Sequence, residues 1–341
     1  MSAGTDAELQ ELAESVFADA RSEGTGFDAD LWKTLEGTGL ARLTLPSEAG
    51  GSAGTFSDAA VVLAAAGAHA ARVPLVETDL LAGWLLHTAG IAVPPGPLTA
   101  VAGELEIDGS TARGSLHRVP WARAAAGIAV LTPEYVVLLG PDALTVVDGA
   151  NLAEEPRDAV TVEGRVATEA VARVPDGTAA EFRLRAALGR SLLLAGAARG
   201  ALAAAVRYAG ERVQFGRPIG RFQAVQQELA LAAAEVAASS AAASAAAAAA
   251  ATFGVPDPAA RFAIAAAKAR TGEAAGAVAR IAHQVHGAIG FTREHDLRLV
   301  TTRLWAWRDE DGSEAEWNAE VGAAALAAGP AGLWPLVTGR P

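Results

Sequence analysis

Hydrophobic positions open the chain with helical spacing. Leu9, Leu12 and Val16 recur at three and four residues, and Leu31, Leu35 and Leu40 continue an apolar face after the helix-starting Asp28. Pro46 and the pair Gly50-Gly51 break this pattern and predict a loop over Leu43–Gly54. Phe56–Ala71 and Thr78–Ala89 read as helices again, with Pro74 between them. Near Val93 the pattern changes. Pro94, Pro95 and Pro97 stop the helices, and short apolar runs follow at Ala100-Val101, Gly127–Leu131, Tyr135–Leu139, Leu144–Val147 and Ala159–Val162. Turn pairs at Asp108-Gly109 and Asp148-Gly149 bound them, so strands are expected. From Ala179 to Gly329 the spacing is helical throughout. The pattern thus predicts a chain that is mainly α with a small β domain: residues 1–93 helical, 94–178 a middle β domain, 179–341 a four-helix bundle.

Within the bundle, Val206–Leu229 stands out. Tyr208 and Arg212 lie four apart on one helix face, then Phe215-Gly216-Arg217-Pro218 ends the helical run, because Pro218 donates no amide and restricts its predecessor. A second helix is expected near Gln223, with Val225, Leu229, Ala232 and Val236 as its buried stripe. An arginine at a helix end, a turn with free backbone donors and glutamines opening the next helix make an anion and purine cradle; they also make an ordinary helical hairpin.

Composition narrows the class. With 51% hydrophobic and 19% charged residues the chain has ample apolar surface for a core, and disorder is not expected. At 341 residues, two or three subdomains are expected. A net charge of −12 and the lack of a basic run argue against a nucleic-acid partner. There are no cysteines, which excludes disulfides and thiolate chemistry. The first ten residues, MSAGTDAELQ, are unlike a signal peptide, and Ala230–Ala251 lacks large apolar side chains, so a packed helix and a cytoplasmic location are expected rather than a membrane span. His283, His286 and His295 cluster in sequence without a cysteine or a fixed further ligand, and no metal site is expected. No Gly-rich dinucleotide loop or nucleophile elbow occurs. Trp305, Trp307 and Trp317 form an aromatic group expected to fill core or interface.

Four stretches together resemble one family. The run R-x-x-F-G-x-P-I-x-x-F-Q from Arg212 to Gln223 resembles a signature of the acyl-CoA dehydrogenases. Gln284–Ser313 (QVHGAIGFTREHDLRLVTTRLWAWRDEDGS) resembles the second, Q-x-x-G-G-x-G-F followed by an E-G-T segment. LPSEAGG at Leu45–Gly51 and the segment HRVPWARAA at His117–Ala125 resemble parts of the same family's helical and β domains. The order helical, β, helical bundle matches that fold over essentially the whole chain.

The resemblance implies an oxidoreductase that removes a proton next to a thioester carbonyl of an acyl-CoA and passes a hydride from the next carbon to FAD. It places the carboxylate base at Asp311, where the family has glutamate, one methylene longer. It places Gly312 in substrate binding and Ser313 at the threonine position facing the flavin. The FAD of a neighbouring chain would meet Arg212, Gln214, Phe215, Gln223, Gln284, Val285, His286, Gly287 and Ala288, with Arg212 on the pyrophosphate and Gly287 open to the adenosine part. Ala288 stands where the family has a second glycine. The family's Thr-Glu-Pro and Trp-x-x-Asn runs, which line the flavin ring, are missing from the β domain; Thr132-Pro133-Glu134 has another order. Two readings follow: a dehydrogenase subunit with its own base, or a non-catalytic partner of a heteromer that completes the FAD site of another chain of the same fold. Either implies a homo- or hetero-oligomer and an electron-transfer flavoprotein as acceptor.

Overall fold

The computed structural model describes residues 3–20, 26–292 and 294–338. The chain divides into two compact units: Met1–Phe17, Ala60–Ala71 and Ala187–Pro341 form one, Ala18–Ala59 and Arg72–Ala186 the other.

In the second unit, α2 (Ala29–Gly37) is capped by Asp28, whose carboxylate accepts the Leu31 N–H, and buries Leu31, Trp32 and Leu35. The helix expected from Thr78 starts earlier and is of another kind. Val76–Gly83 is a π-helix, every residue of it buried, and it runs into α4 (Trp84–Thr88). Widening the turn lets its polar residues serve neighbours. Thr78 pairs with both backbone groups of Leu98, while Asp79 accepts from the backbone N–H and hydroxyl of Thr44 in the Leu43–Gly54 loop. Burial pushes the Asp79 carboxyl up to about 6.

Eight strands of this unit form two sheets. The first holds β1 (Leu98–Ala102), β4 (Gly127–Leu131), β5 (Tyr135–Leu139) and β8 (Val171–Arg173), in the order β1-β4-β5-β8, with β1 parallel to β4. The second holds β2 (Glu106–Asp108), β3 (Thr111–Pro120), β7 (Arg157–Arg165) and β6 (Leu144–Val147), in the order β2-β3-β7-β6. Their inner faces meet in one core built from Leu116, Val119, Ile128, Val130, Val137 and Val160. Strands β4, β5 and β6 have the bounds that the apolar runs predict. Strand β3, the longest, escapes the pattern because its outward residues Arg113, His117 and Arg118 are exposed and a bulge between Leu116 and Val119 breaks the alternation. After β3 ends at Pro120, the chain crosses to the other sheet at β4.

Between β4 and β5, Thr132-Pro133-Glu134 is the whole connection. The Thr132 hydroxyl accepts from the N–H groups of Glu134 and Tyr135 and donates to the Tyr135 carbonyl, so the turn consumes it.

In the first unit, α5 (Thr178–Glu211) from Ala187 onward, α6 (Gln223–Phe253), α7 (Pro258–His286), α8 (Leu297–Arg308) and α9 (Glu314–Thr338, kinked at Gly329) follow in order. Gly196 and Gly200 let α5 lie directly on α3 (Phe56–Ala68), since a Cβ at either would stand 2.1–2.5 Å from a backbone oxygen of that helix. Helix α7 is the hub, packed by α6, α8 and α9. Helices α5, α6 and α9 are each long and apolar enough to cross a membrane by length and composition. In α6 the buried residues Ala232, Val236, Ser239, Ala243, Ala246, Ala247 and Ala250 recur at three and four, a stripe packed along α7.

Candidate functional site

Two groups of residues sit along α7, one at Lys268 and one at Gln284. Sixteen residues separate them, about 24 Å of helix axis.

The first group holds the turn between α8 and α9. Lys268, fully buried in an alanine-rich helix, donates from Nζ to the carbonyls of Arg308 (2.9 Å) and Gly312 (2.7 Å). Burial lowers its pKa to about 8, against the pull of Asp311. Asp311 itself takes a left-handed backbone (φ 59°), which short polar side chains tolerate, and its carbonyl accepts from Trp317 Nε1 at 2.9 Å. Gly312 follows at φ 95°, where a Cβ would stand 2.4 Å from that same nitrogen, so glycine is required. The Asp311 carboxylate accepts from Arg190 Nε at 2.9 Å, and Glu310 lies 3.4 Å from the same guanidinium. Arg190 is 5% exposed as a side chain. The Ser313 hydroxyl accepts weakly from the Glu316 N–H at 3.4 Å, at the start of α9. Arg308 and Glu314 close the turn with an ion pair. Asp311, the expected base, is therefore an engaged carboxylate facing a buried cation.

The second group brings the two signature segments to one end of the unit. Tyr208, one turn before the end of α5, stacks on His286 at the end of α7 with ring centroids 4.4 Å apart, and His295 meets both rings edge-on. Arg212 follows α5 directly. Next comes a short hairpin, β9 (Val213–Gln214) and β10 (Arg217–Pro218), joined by Phe215 (φ 51°) and Gly216 (φ 78°), the paired positive φ values that suit a two-residue hairpin. Arg212, Gln214 and Gln223 are exposed, and Phe215 is 91% exposed. At the end of α7 and just beyond it, Gln284, Gly287 and Ala288 are exposed while Val285 and His286 are buried, so Val285 faces the core and His286 lies under Tyr208. Gly287 has φ 64° and open space where a Cβ would stand. Ala288, at the position of the family's second glycine, is exposed.

Beside Gly287 lies a cavity of about 340 Å³ lined by Arg280, His283, Gln284, Gly287, Phe291 and Trp305. His283 is the middle of three stacked rings, 4.3 Å from Phe291 and 5.1 Å from Trp305. Its Nε2 is 2.9 Å from the Thr301 hydroxyl. Burial holds both His283 and His286 below the usual histidine pKa. The tryptophans thus divide rather than cluster. Trp317 and Trp307 pack at the Asp311 turn, whereas Trp305, two residues from Trp307 and so on the opposite face of α8, belongs to the cavity.

Lys268, Arg190, Arg280, His283, Phe291 and Trp305 are functional-site neighbours that spacing alone does not single out. Lys268 does carry a signal. It is one of only two lysines in a chain that otherwise uses arginine, and it sits amid alanines.

Residues 5–92 match the acyl-CoA dehydrogenase N-terminal domain and residues 183–314 the acyl-CoA dehydrogenase C-terminal domain. Acyl-CoA dehydrogenase IpdE2 of Mycolicibacterium smegmatis is 32% identical over 303 residues, 85% of this chain and 86% of that protein. This chain belongs to the acyl-CoA dehydrogenase family. Its members are oxidoreductases acting on CH–CH groups, and the family is one of flavoproteins. Acyl-CoA dehydrogenase IpdE2 of Mycobacterium tuberculosis is 33% identical, with 83% of each chain covered. Among solved structures, the ChsE4-ChsE5 complex from Mycobacterium tuberculosis contains a chain of the same fold, with TM-score 0.84 at 22% identity and coverage of 97% of this chain and 99% of that one. In this acyl-CoA dehydrogenase family chain, both C-terminal signatures fall within the matched C-terminal domain, together with Lys268 and the Asp311 turn.

Proposed function

We propose that this chain is a subunit of an FAD-dependent acyl-CoA dehydrogenase that introduces an α,β double bond into an acyl-CoA thioester, and that its part is to complete the FAD site of a neighbouring chain of the same fold. The observation that carries this reading is the Tyr208–His286 stack, which joins the two signature segments at one open end. The residues there fit the adenosine and pyrophosphate side of the dinucleotide: Gly287 offers an unobstructed backbone, Arg212 a free-standing guanidinium of the geometry that phosphate oxygens match, and Gln284 an exposed amide. Bound FAD supplies the acceptor for the hydride leaving the β carbon. The chain's own residues bind and orient, and the electrons pass on to an electron-transfer flavoprotein.

The proton acceptor is assigned to the neighbouring chain. A base must be free to turn toward its proton, and the Asp311 carboxylate is held by a buried arginine. The β4–β5 turn supports the same division, because the Thr132 hydroxyl is used up within the turn. Helix α9 presents Leu326, Leu333, Trp334 and Val337 to solvent, an apolar row that a neighbour of the same fold would cover. The shared fold with a chain of the ChsE4-ChsE5 complex fits such a heteromer. A cytoplasmic location belongs to the same reading. The second reading, in which Asp311 is the base, is favoured by its place directly before Gly312.

The test is flavin content. Purified alone, the chain should carry well under one FAD per protomer, and the assembly with its partner should carry fewer flavins than chains. Replacing Arg212 with alanine should lower the flavin content of that assembly. A yellow homotetramer with one FAD per chain and full activity on an acyl-CoA would overturn the proposal.

A further inference from the structure

The Tyr208–His286 stack belongs to a larger group of rings, and three of them are imidazoles. His283 and His286 share a face of α7 at its end, and His295 lies just ahead of α8. The His286 ring has Tyr208 stacked on it at 4.4 Å and His295 edge-on at 4.8 Å. His283 is stacked by Trp305 and Phe291. His283 and His286 are 5% and 4% exposed. Gly290 lies against both, since a Cβ there would stand 2.9 Å from His286 Cβ and 3.3 Å from His283 Nδ1. The turn after α7 therefore rests directly on the two histidines.

Hydrogen bonds assign the proton on each ring. The Ala282 carbonyl can only accept, so His286 Nδ1 donates to it at 2.7 Å. The Thr301 hydroxyl gives its one proton to the Leu297 carbonyl at 3.1 Å and so accepts from His283 Nε2 at 2.9 Å. His295 Nδ1 accepts from the Leu297 N–H at 3.1 Å, which leaves the His295 proton on Nε2. His286 Nε2 and His283 Nδ1 are then lone pairs, both buried and without a hydrogen-bond partner among the described residues. A second proton on either ring would go to these two atoms. It would find no acceptor there, and cations would surround it. Arg207 of α5 and His295 face His286, while His286 and His295 face His283. Glu294 and Asp296 flank His295 in the chain, and among the described residues neither forms an ion pair with any of the three histidines. Burial, and after it these neighbours, hold His283 and His286 below the ordinary histidine value of 6.5.

We propose that His283 and His286 form a proton-operated latch: neutral, they hold the end of α5 stacked on the end of α7, and protonated, they release that stack and the turn that rests on it. The latch regulates the binding end, and only its consequence, loss of flavin on acidification, rests on the FAD reading above. The sign follows from linkage. The closed form holds both histidines at lowered pKa values and so binds fewer protons than the open form. Its advantage is complete above pH 6.5 and shrinks as pH falls below it. With two histidines contributing, a fall from about pH 7.5 to about pH 5.5 should raise the open population at least about tenfold.

The experiment is amide hydrogen exchange of the purified chain at the two pH values, with rates corrected for their intrinsic pH dependence. In the parent, residues 283–292 should lose at least about tenfold in protection on acidification, while residues 262–272, further back on α7, keep theirs. The double variant His283→Phe/His286→Phe keeps two stacking rings that cannot take a proton. Its protection over 283–292 should stay within about twofold between the two pH values. Circular dichroism checks its fold. Ring-proton NMR of the parent decides independently of the variant: His283 and His286 should titrate below 6.5 and lose the Tyr208 ring contact as they do so. Unchanged protection in the parent, acid opening of the double variant, or ordinary titration with the stack intact would each overturn the latch. In the assembly, flavin should dissociate at least about tenfold faster at the lower pH. Flavin retained while 283–292 opens would overturn its regulatory role. An assembly without flavin at either pH would sink the FAD reading, and the exchange result would still decide the latch.

Discussion

The two groups along α7 use polar side chains in opposite ways. At the Lys268 end the central groups are partnered: two carbonyls take the lysine, a third takes Trp317, and the Asp311 carboxylate takes Arg190. At the Gln284 end the reverse holds, with Gln284 and Arg212 exposed, His283 Nδ1 unmatched and the backbone of Gly287 open. Saturated hydrogen bonding makes a turn rigid and chemically quiet, whereas unsatisfied and exposed groups around a cavity make a place for a ligand. On the proposed function the first end is structural and the second binds, although the family resemblance alone would put chemistry at both.

The largest expected effect tests the saturated end. Lys268→Met keeps the length of the side chain but leaves the Arg308 and Gly312 carbonyls unpaired, and it should cost about 3–4 kcal/mol of unfolding free energy, measured by urea denaturation. A cost below about 1 kcal/mol would mean that water or the backbone replaces the lysine, and the end is not saturated in the sense used here.

The next effect is smaller and depends on pH. The folded chain releases the Lys268 proton near pH 8, whereas the unfolded chain holds it up to about 10.5. A base whose folded pKa is depressed contributes stability that is present in full above the unfolded value and is lost as pH falls through the folded one. Compared with Lys268→Met, the parent should gain on the order of 2 kcal/mol between pH 8 and 10.5. Parallel stability curves for the two proteins over that window would show that the lysine is not buried as a charge.

How much of this was legible in the sequence differs between the two ends. The break after α5 could be read in advance, because Phe215-Gly216 before Pro218 cannot continue a helix, though not the short β-hairpin it forms, and the strands β4 to β6 could be read from unbroken apolar runs. The π-helix could not. Its apolar content is that of an α-helix, and the partners of its polar residues, Thr44 for Asp79 and Leu98 for Thr78, lie 20 to 35 residues away. The Gln284 end was visible as a motif, but its cavity was not, since Trp305 and His283 are far apart in sequence and meet only when α8 folds back on α7. The Asp311 position was visible by count from Gln284, yet its pairing depends on Arg190, 121 residues away, which no local pattern announces.

The most direct test of the central claim is turnover of the assembled enzyme with Asp311→Asn. Asparagine tolerates the left-handed backbone and still accepts from Arg190, so the turn keeps its shape while any basic lone pair is weakened. If this chain supplies a binding end and not the base, kcat on an acyl-CoA should stay within about threefold of the parent with unchanged flavin content. Loss of a working general base costs about a hundredfold or more, and a fall of that size in Asp311→Asn would contradict the account and return the base to this chain.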